Sequence, residues 1–314
     1  MDFIKVDDPG IGKRLRRDGV VLIDGLLDPE EVAETRAQML RYQHEVLPGV
    51  PRAHYEFHED GVLRNMTEMQ RYDPWFRKFG TRERFTKLFR GAVEWEPTLF
   101  YLETFPKRSG CRPLRMHQEL FATPMEPAQY LHLWIALDDV TNDNSGMVFY
   151  RGSHKLGLAP HVYHSDQLPA VEDELLERLA PYRIEPDFPA GSAALFDGCT
   201  IHGSKANVTD GMRLSLVVAV RGVDTVISGD DDIFSSVISR FFREELGIEK
   251  CSVDDTLAEL GGDETVVRRV LGRIERDYDV RLPEEEFGTS ASPRMLANRL
   301  IELTGWDSLN SATA

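Results

Sequence analysis

Apolar and polar positions follow three different rhythms along this chain. Near the N-terminus, GVVLIDGLL (19–27) is a short apolar run suited to a strand, and LDPEEVAETRAQMLRYQHEV comes after it. Asp28-Pro29 predicts a helix start there: aspartate as N-cap, proline in the first turn, and Glu30 and Glu31 at the positive helix end. Residues 48–75 are aromatic, charged and aperiodic, as expected of a covering loop. Trp75, Phe76, Phe79, Phe85, Leu88 and Phe89 recur at helical spacing and predict a helix over 75–92. From 97 to 223 the rhythm shortens. TLFYLETF, YLHLWIAL, GMVFYRGS, SAALFDG and RLSLVVAVRG are rich in β-branched and aromatic residues and are separated by turn clusters. That texture predicts an antiparallel sandwich or barrel, interrupted by a helical insert, DQLPAVEDELLERLAPY. Beyond Val226, an acidic joint, SGDDD, leads into IFSSVISRFFREEL, ETVVRRVLGRIERDYDV and SPRMLANRLIEL, whose apolar residues return at i, i+3, i+4 and i+7. The expected division is a mainly β domain over 1–228 and a small all-α domain over 229–314.

Charge sharpens this division. The 314 residues carry a net charge of −16, and −9 of it falls in residues 230–314. So acidic a surface disfavours nucleic acid and anionic membranes as partners. No apolar run approaches the roughly 18 residues of a membrane-spanning helix. No secretory leader is visible, and Cys111, Cys199 and Cys251 are too scattered for a zinc site or a disulfide framework. A reducing, cytoplasmic setting is the expectation.

The chemistry begins at MHQEL (116–120). If the strand rhythm holds, His117 and Glu119 face the same way, one pleat apart. His202 lies 85 residues further on, at a turn after SAALFDG, and Arg213 lies 11 residues after that, where the next strand is expected to begin. Two imidazoles and one carboxylate form a facial triad with open positions, a donor set that suits ferrous iron. Each histidine then needs an acceptor for its second nitrogen. Taken singly, a surface histidine beside a glutamate is usually only solvated. The joint pattern is what points to a metal.

These motifs resemble the phytanoyl-CoA dioxygenase group of iron(II)/2-oxoglutarate oxygenases over roughly residues 15–223. HQEL…LHLWIALDDVTNDNSGMVFYRGSHKLG is similar to the family's first iron motif with its succeeding strand, turn and GSHK signature, and LFDGCTIHGSKANVTDGMRLSL to its second iron motif. The resemblance implies a double-stranded β-helix, or jelly-roll, with flanking helices. It also implies Fe(II) held by His117, Glu119 and His202, with 2-oxoglutarate and dioxygen as cosubstrates. Arg213 would take the distal carboxylate of 2-oxoglutarate as a bidentate pair. Trp134 and Ser204, and more weakly Tyr101 and Asn65, would line the cosubstrate pocket. The alternative for Trp134 is plain core packing. The family usually carries aspartate where this chain has Glu119. Related halogenases lack that carboxylate altogether, so Glu119 argues for hydroxylation or another oxidation of an unactivated C–H bond. His54, His58, His132, Arg112, Arg115 and Arg151 are further candidates for the substrate pocket.

The tail has its own resemblance. DDTLAELGGDETVVRRVLGRIERDYDVRLPEEEF is similar to an acyl or peptidyl carrier domain, a small four-helix bundle, around its phosphopantetheine site. Carrier domains place a serine directly after this glycine-glycine-aspartate triplet. Here Glu264 comes next after Gly261-Gly262-Asp263, and Thr265 stands one place too late. The resemblance shifts the expected substrate toward a small specialised-metabolite intermediate, free or carrier-tethered. It implies docking to a biosynthetic synthase or self-association through the tail. The competing reading is a non-catalytic scaffold that acts through that tail.

Overall fold

The computed structural model describes residues 1–58, 60–164, 167–227, 233–248, 251–278 and 280–304. The chain falls into two compact units, residues 1–50 with 54–226, and residues 51–53 with 227–314. The acidic joint SGDDD lies outside the described residues.

Nine strands of the first unit form two antiparallel sheets. They are β1 (Val20–Ile23), β2 (Pro97–Glu103), β3 (Leu114–His117), β4 (Tyr130–Ala136), β5 (Met147–Tyr150), β6 (Arg183–Ile184), β7 (Ala193–Asp197), β8 (His202–Ser204) and β9 (Ser215–Gly222). The larger sheet runs β1-β7-β4-β9-β2 and the smaller β6-β5-β8-β3. Every residue of β4, YLHLWIA, is buried, which is what a central strand covered on both faces requires. Leu131, Leu133 and Ile135 point to an outer core shared with Leu15, Phe76, Phe85 and Phe89 from the helices. Trp134 and Ala136 point the other way, into a core with Met147 and Phe149 of the smaller sheet. The larger sheet is therefore backed by helices on one face and faces the smaller sheet with the other.

The helix start at Asp28 has the expected chemistry. Its side chain accepts from the Glu31 amide (2.8 Å), the Glu31 carboxylate answers the Asp28 amide (3.1 Å), and the helix runs Pro29–Arg41. Elsewhere the elements depart from expectation. The helix expected over 75–92 is two helices, Pro74–Gly80 and Glu83–Ala92. The break comes after Gly80, which packs so tightly on Leu102 that a Cβ would lie 2.6 Å from its Cδ1. The aperiodic stretch 48–75 contains a hairpin, Tyr55–Phe57 with Leu63–Met66. The insert over 166–182 is only partly helical. Gln167–Val171 pairs with His161–His164, and the helix is confined to Asp173–Leu179.

The second unit contains helices Ile233–Leu246, Glu264–Tyr278 and Pro293–Thr304 around Phe241, Phe242, Val270, Ile274 and Leu300. Where a four-helix bundle was expected, the described residues supply three α-helices and a single turn at Glu284–Glu286. No described helix is long and apolar enough to cross a membrane.

Candidate metal centre

Register brings the two histidines together. β8 pairs with β3 so that His202 sits directly opposite His117, and their ring centroids are 4.4 Å apart. Both are buried on the face that looks toward the larger sheet, with the His202 ring against Phe196 at 4.5 Å. MHQEL is not the continuous strand expected of it: β3 ends at His117, and Glu119 opens a one-turn helix, Glu119–Ala122. The cause is Gln118. Its buried amide donates to the carbonyls of Gly157 (2.8 Å) and Cys199 (2.6 Å) and accepts from the Ala159 amide (2.8 Å), which pins the chain and lets it turn. Gln118 itself stays extended, so the strand alternation lasts one residue longer and Glu119 still shares the face of His117.

Glu119 Oε1 lies 3.4 Å from His117 Nε2 and 3.1 Å from His202 Nε2. One donor atom from each of the three residues falls within 4.8 Å of the others. Octahedral metal–oxygen arms of about 2.1 Å place neighbouring donors about 3 Å apart, so the set matches three positions around one ion. Each imidazole has its other nitrogen engaged as required. His117 Nδ1 donates to the Arg115 carbonyl (2.8 Å) and His202 Nδ1 to the Thr200 carbonyl (3.0 Å), leaving both Nε2 atoms free to ligate. Burial alone would raise the Glu119 carboxyl. The three imidazoles around it, His132, His117 and His202, instead hold it well below the usual range. Burial lowers His202, aided by His117. Burial would also lower His117, but its hydrogen bond and charge interaction with Glu119 raise it.

Arg213 lies not on the next strand but two residues before β9, bridged backbone to backbone with Lys107 (2.9 Å each way). Its side chain is buried. It donates to Ser215 Oγ (2.6 Å) and the Ser145 carbonyl (3.2 Å) and lies over the Trp134 ring at 5.4 Å. Its Nε is buried with no partner. Burial, reinforced by the nearby Arg213 charge, lowers Lys107 to about 8. Two cations thus converge where a dicarboxylate's far end would be welcome. Trp134 lies edge-on to Phe188 in the core and also against Arg213. Ser204 Oγ is 3.4 Å from Ser145 Oγ, next to that guanidinium's anchor. Tyr101 bonds instead to Tyr130 (2.5 Å) and His132 (3.2 Å). Asn65 sits in the separate hairpin, half-buried, with its strand neighbour Met66 bridged to Thr104.

Of the looser candidates, Arg151 is turned to Asp18 (3.3 Å), and His54 is buried against Tyr72 and pushed down to about 4 by that burial. His132 is different. Its Nδ1 lies 3.5 Å from Glu119 Oε1. Its face is legible in the sequence, since it stands two residues before Trp134 on one strand, but its place beside Glu119 comes from the fold.

Two antiparallel sheets facing across a buried two-histidine, one-carboxylate cluster, with an unneutralised arginine alongside, define a non-haem metal oxygenase architecture. Residues 15–215 match the family described as phytanoyl-CoA dioxygenase, and residues 236–300 match the phosphopantetheine attachment site. The chain belongs to the phytanoyl-CoA dioxygenase family, a family of Fe(II)/2-oxoglutarate oxygenases. It is 32% identical over 108 residues to a "probable phytanoyl-CoA dioxygenase" of Caenorhabditis elegans, covering 32% of this chain and 34% of the relative. Over 66 residues it is 33% identical to the "probable" nonribosomal peptide synthetase CymA of Salinispora arenicola, covering 21% of this chain and 1% of the synthetase. The chain thus spans about a third of the first relative's length and a small fraction of the second's. Among solved structures, the epimerase SnoN in complex with Fe3+, alpha ketoglutarate and nogalamycin RO is 26% identical, with a TM-score of 0.58 over 69% of this chain and 84% of SnoN.

Proposed function

We propose that this chain is an Fe(II)/2-oxoglutarate-dependent dioxygenase that oxidises, by hydroxylation, an unactivated C–H bond of a small specialised-metabolite intermediate. The observation that carries the proposal is the convergence of His117 Nε2, Glu119 Oε1 and His202 Nε2, with both Nδ1 atoms already committed to backbone carbonyls. On this reading the two facing sheets are the jelly-roll of residues 1–228. The chemistry that bound iron supplies is activation of dioxygen coupled to decarboxylation of 2-oxoglutarate. His117, Glu119 and His202 would hold the ion through one donor atom each. Arg213 fixes the distal carboxylate of 2-oxoglutarate, and Trp134 and Ser204 shape the slot beside it. The buried walls keep water from the reacting centre. The carrier-like tail and the synthetase-like match support a carrier-tethered substrate, with residues 229–314 docking to a synthase or to a second copy.

The test is succinate formation by the full chain with ferrous iron and 2-oxoglutarate. His117→Ala, Glu119→Ala and His202→Ala should each abolish it while leaving the circular-dichroism spectrum unchanged. A variant that keeps wild-type turnover and iron affinity removes that residue from the site. A wild-type protein that binds iron yet turns over no 2-oxoglutarate favours the scaffold reading. Mass spectrometry with free and carrier-bound intermediates, looking for the gain of one oxygen atom, then identifies the substrate.

A further inference from the structure

A third imidazole faces Glu119, and nothing in the triad reading uses it. His132 is buried at the centre of β4, and its Nδ1 lies 3.5 Å from Glu119 Oε1. The cluster whose donor atoms all lie within 4.8 Å of one another comprises His117, Glu119 and His202 and leaves His132 out. His132 therefore reaches the carboxylate from outside the metal-binding set.

Its far side is equally constrained. His132 Nε2 is 2.8 Å from the Tyr130 hydroxyl and 3.2 Å from the Tyr101 hydroxyl, and the two hydroxyls are 2.5 Å apart. One assignment of protons suits the two shortest contacts. Tyr101 donates to the Tyr130 oxygen, Tyr130 donates to His132 Nε2, and His132 carries its proton on Nδ1, the nitrogen 3.5 Å from Glu119 Oε1. A neutral imidazole carries one donor and one acceptor nitrogen; a carboxylate can only accept whereas a tyrosine hydroxyl can donate, so the two neighbours together favour the tautomer protonated at Nδ1. The tyrosines and the histidine come from β2 and from alternate positions of β4, a strand buried along its whole length. Glu119, by contrast, comes from a one-turn helix after the end of a strand. A longer side chain on a short element has more freedom than a metal ligand should, and the chain Tyr101–Tyr130–His132 removes it.

Resting on the triad reading above, we propose that His132 is a positioning residue for the metal-binding carboxylate, held in its donating tautomer by Tyr130 and Tyr101. It touches neither cosubstrate nor metal and acts through Glu119.

The experiment uses the full chain, stripped of metal and titrated with ferrous iron under anaerobic conditions, followed by calorimetry and by the visible absorption of the iron–2-oxoglutarate complex. Removing an outer hydrogen-bond partner of a metal ligand typically weakens metal affinity about 10- to 100-fold. His132→Phe keeps the ring and loses the donor, so iron affinity should fall by about that factor. His132→Asn, whose amide donates from nearly the same place, should recover most of it. The thermal midpoint of the metal-free protein should match wild type in both. Glu119→Ala, run in parallel, separates the two readings. If it loses iron while His132→Phe keeps wild-type affinity and spectrum, His132 has no positioning role and the triad stands. If Glu119→Ala itself keeps wild-type affinity, the triad reading falls and this inference with it. A loss that Asn does not restore, accompanied by a lower metal-free midpoint, reduces His132 to packing and overturns the proposal. Should His132→Phe not fold, Tyr130→Phe decides: weakened iron binding supports the relay, and unchanged binding overturns it.

Discussion

At the scale of the single residue, Arg213 carries the sharpest expectation. A guanidinium sealed in the interior with an orphaned Nε and a second cation at Lys107 is costly unless an anion joins it. Among the described residues no carboxylate is ion-paired with it. Charge-assisted hydrogen bonds contribute about 1.5–3 kcal/mol each. A lysine keeps the charge but cannot reproduce the planar fork. Arg213→Lys should therefore weaken 2-oxoglutarate binding tenfold or more while changing iron affinity much less, as titration calorimetry of each would show. Unchanged cosubstrate affinity would hand the distal carboxylate to another group. His117, Glu119, His202 and Arg213 stand out in the sequence because their chemistry is unusual for the strands and turns around them. His132 stands out less: within the apolar alternation of YLHLWIA it is a candidate only for the substrate pocket, and its place beside Glu119 comes from the fold. Gln118 is silent: its three hydrogen bonds reach carbonyls and an amide some 40 and 80 residues away.

At the scale of the element, local chemistry was legible where it is self-contained. The Asp28 cap, the β4 run and the three amphipathic stretches of the tail each declare themselves within a dozen residues. Tertiary contact decided the rest. The helical rhythm over 75–92 is interrupted after Gly80, where Leu102 leaves no room for a side chain, and Gln167–Val171 pairs as a strand with His161–His164. The same kind of distant contact anchors the first helix, Ile11–Asp18. Asp18 is buried at its end, bonded to Arg17 Nη2 (2.6 Å) and Arg151 Nη2 (3.3 Å), while its carbonyl accepts from the Gly152 amide (2.7 Å). Burial would raise its carboxyl, but the Arg17 hydrogen bond and the charges of Arg151 and Arg17 hold it below the usual range. Asp18→Asn should cost about 1–3 kcal/mol in chemical denaturation. A depressed carboxyl contributes in full above its unfolded value, near 3.9, and loses that contribution as pH falls through the lower folded value. The variant and the wild type should therefore converge in stability at a pH below that depressed folded value. A constant difference down to that pH would mean that the carboxylate's charge is not what stabilises this junction.

At the scale of the whole molecule, the acidic second unit is the part least explained by an iron site, since every ligand proposed for metal and cosubstrate precedes residue 214. Residues 236–300 of it match the phosphopantetheine attachment site. Asp263 caps the helix Glu264–Tyr278, accepting from the amides of Thr265 (2.9 Å) and Val266 (3.0 Å). The next side chain is wrong for the reaction. Glu264 is exposed at the first helical position, and a carboxylate cannot form the stable phosphodiester that a serine hydroxyl forms. Thr265 is about 100° further round the helix and cannot stand in its place. Incubation of the full chain with coenzyme A and a promiscuous phosphopantetheinyl transferase should add no mass, and Glu264→Ser should gain one arm. A gain on the wild-type chain would mean that another hydroxyl serves and that the tail is a working carrier. Removal of residues 230–314 should leave iron and 2-oxoglutarate affinities near wild type and change turnover of a carrier-bound substrate or the oligomeric state instead. Loss of iron binding on truncation would make the tail part of the catalytic core, and a truncated protein unchanged in every respect would leave docking without support.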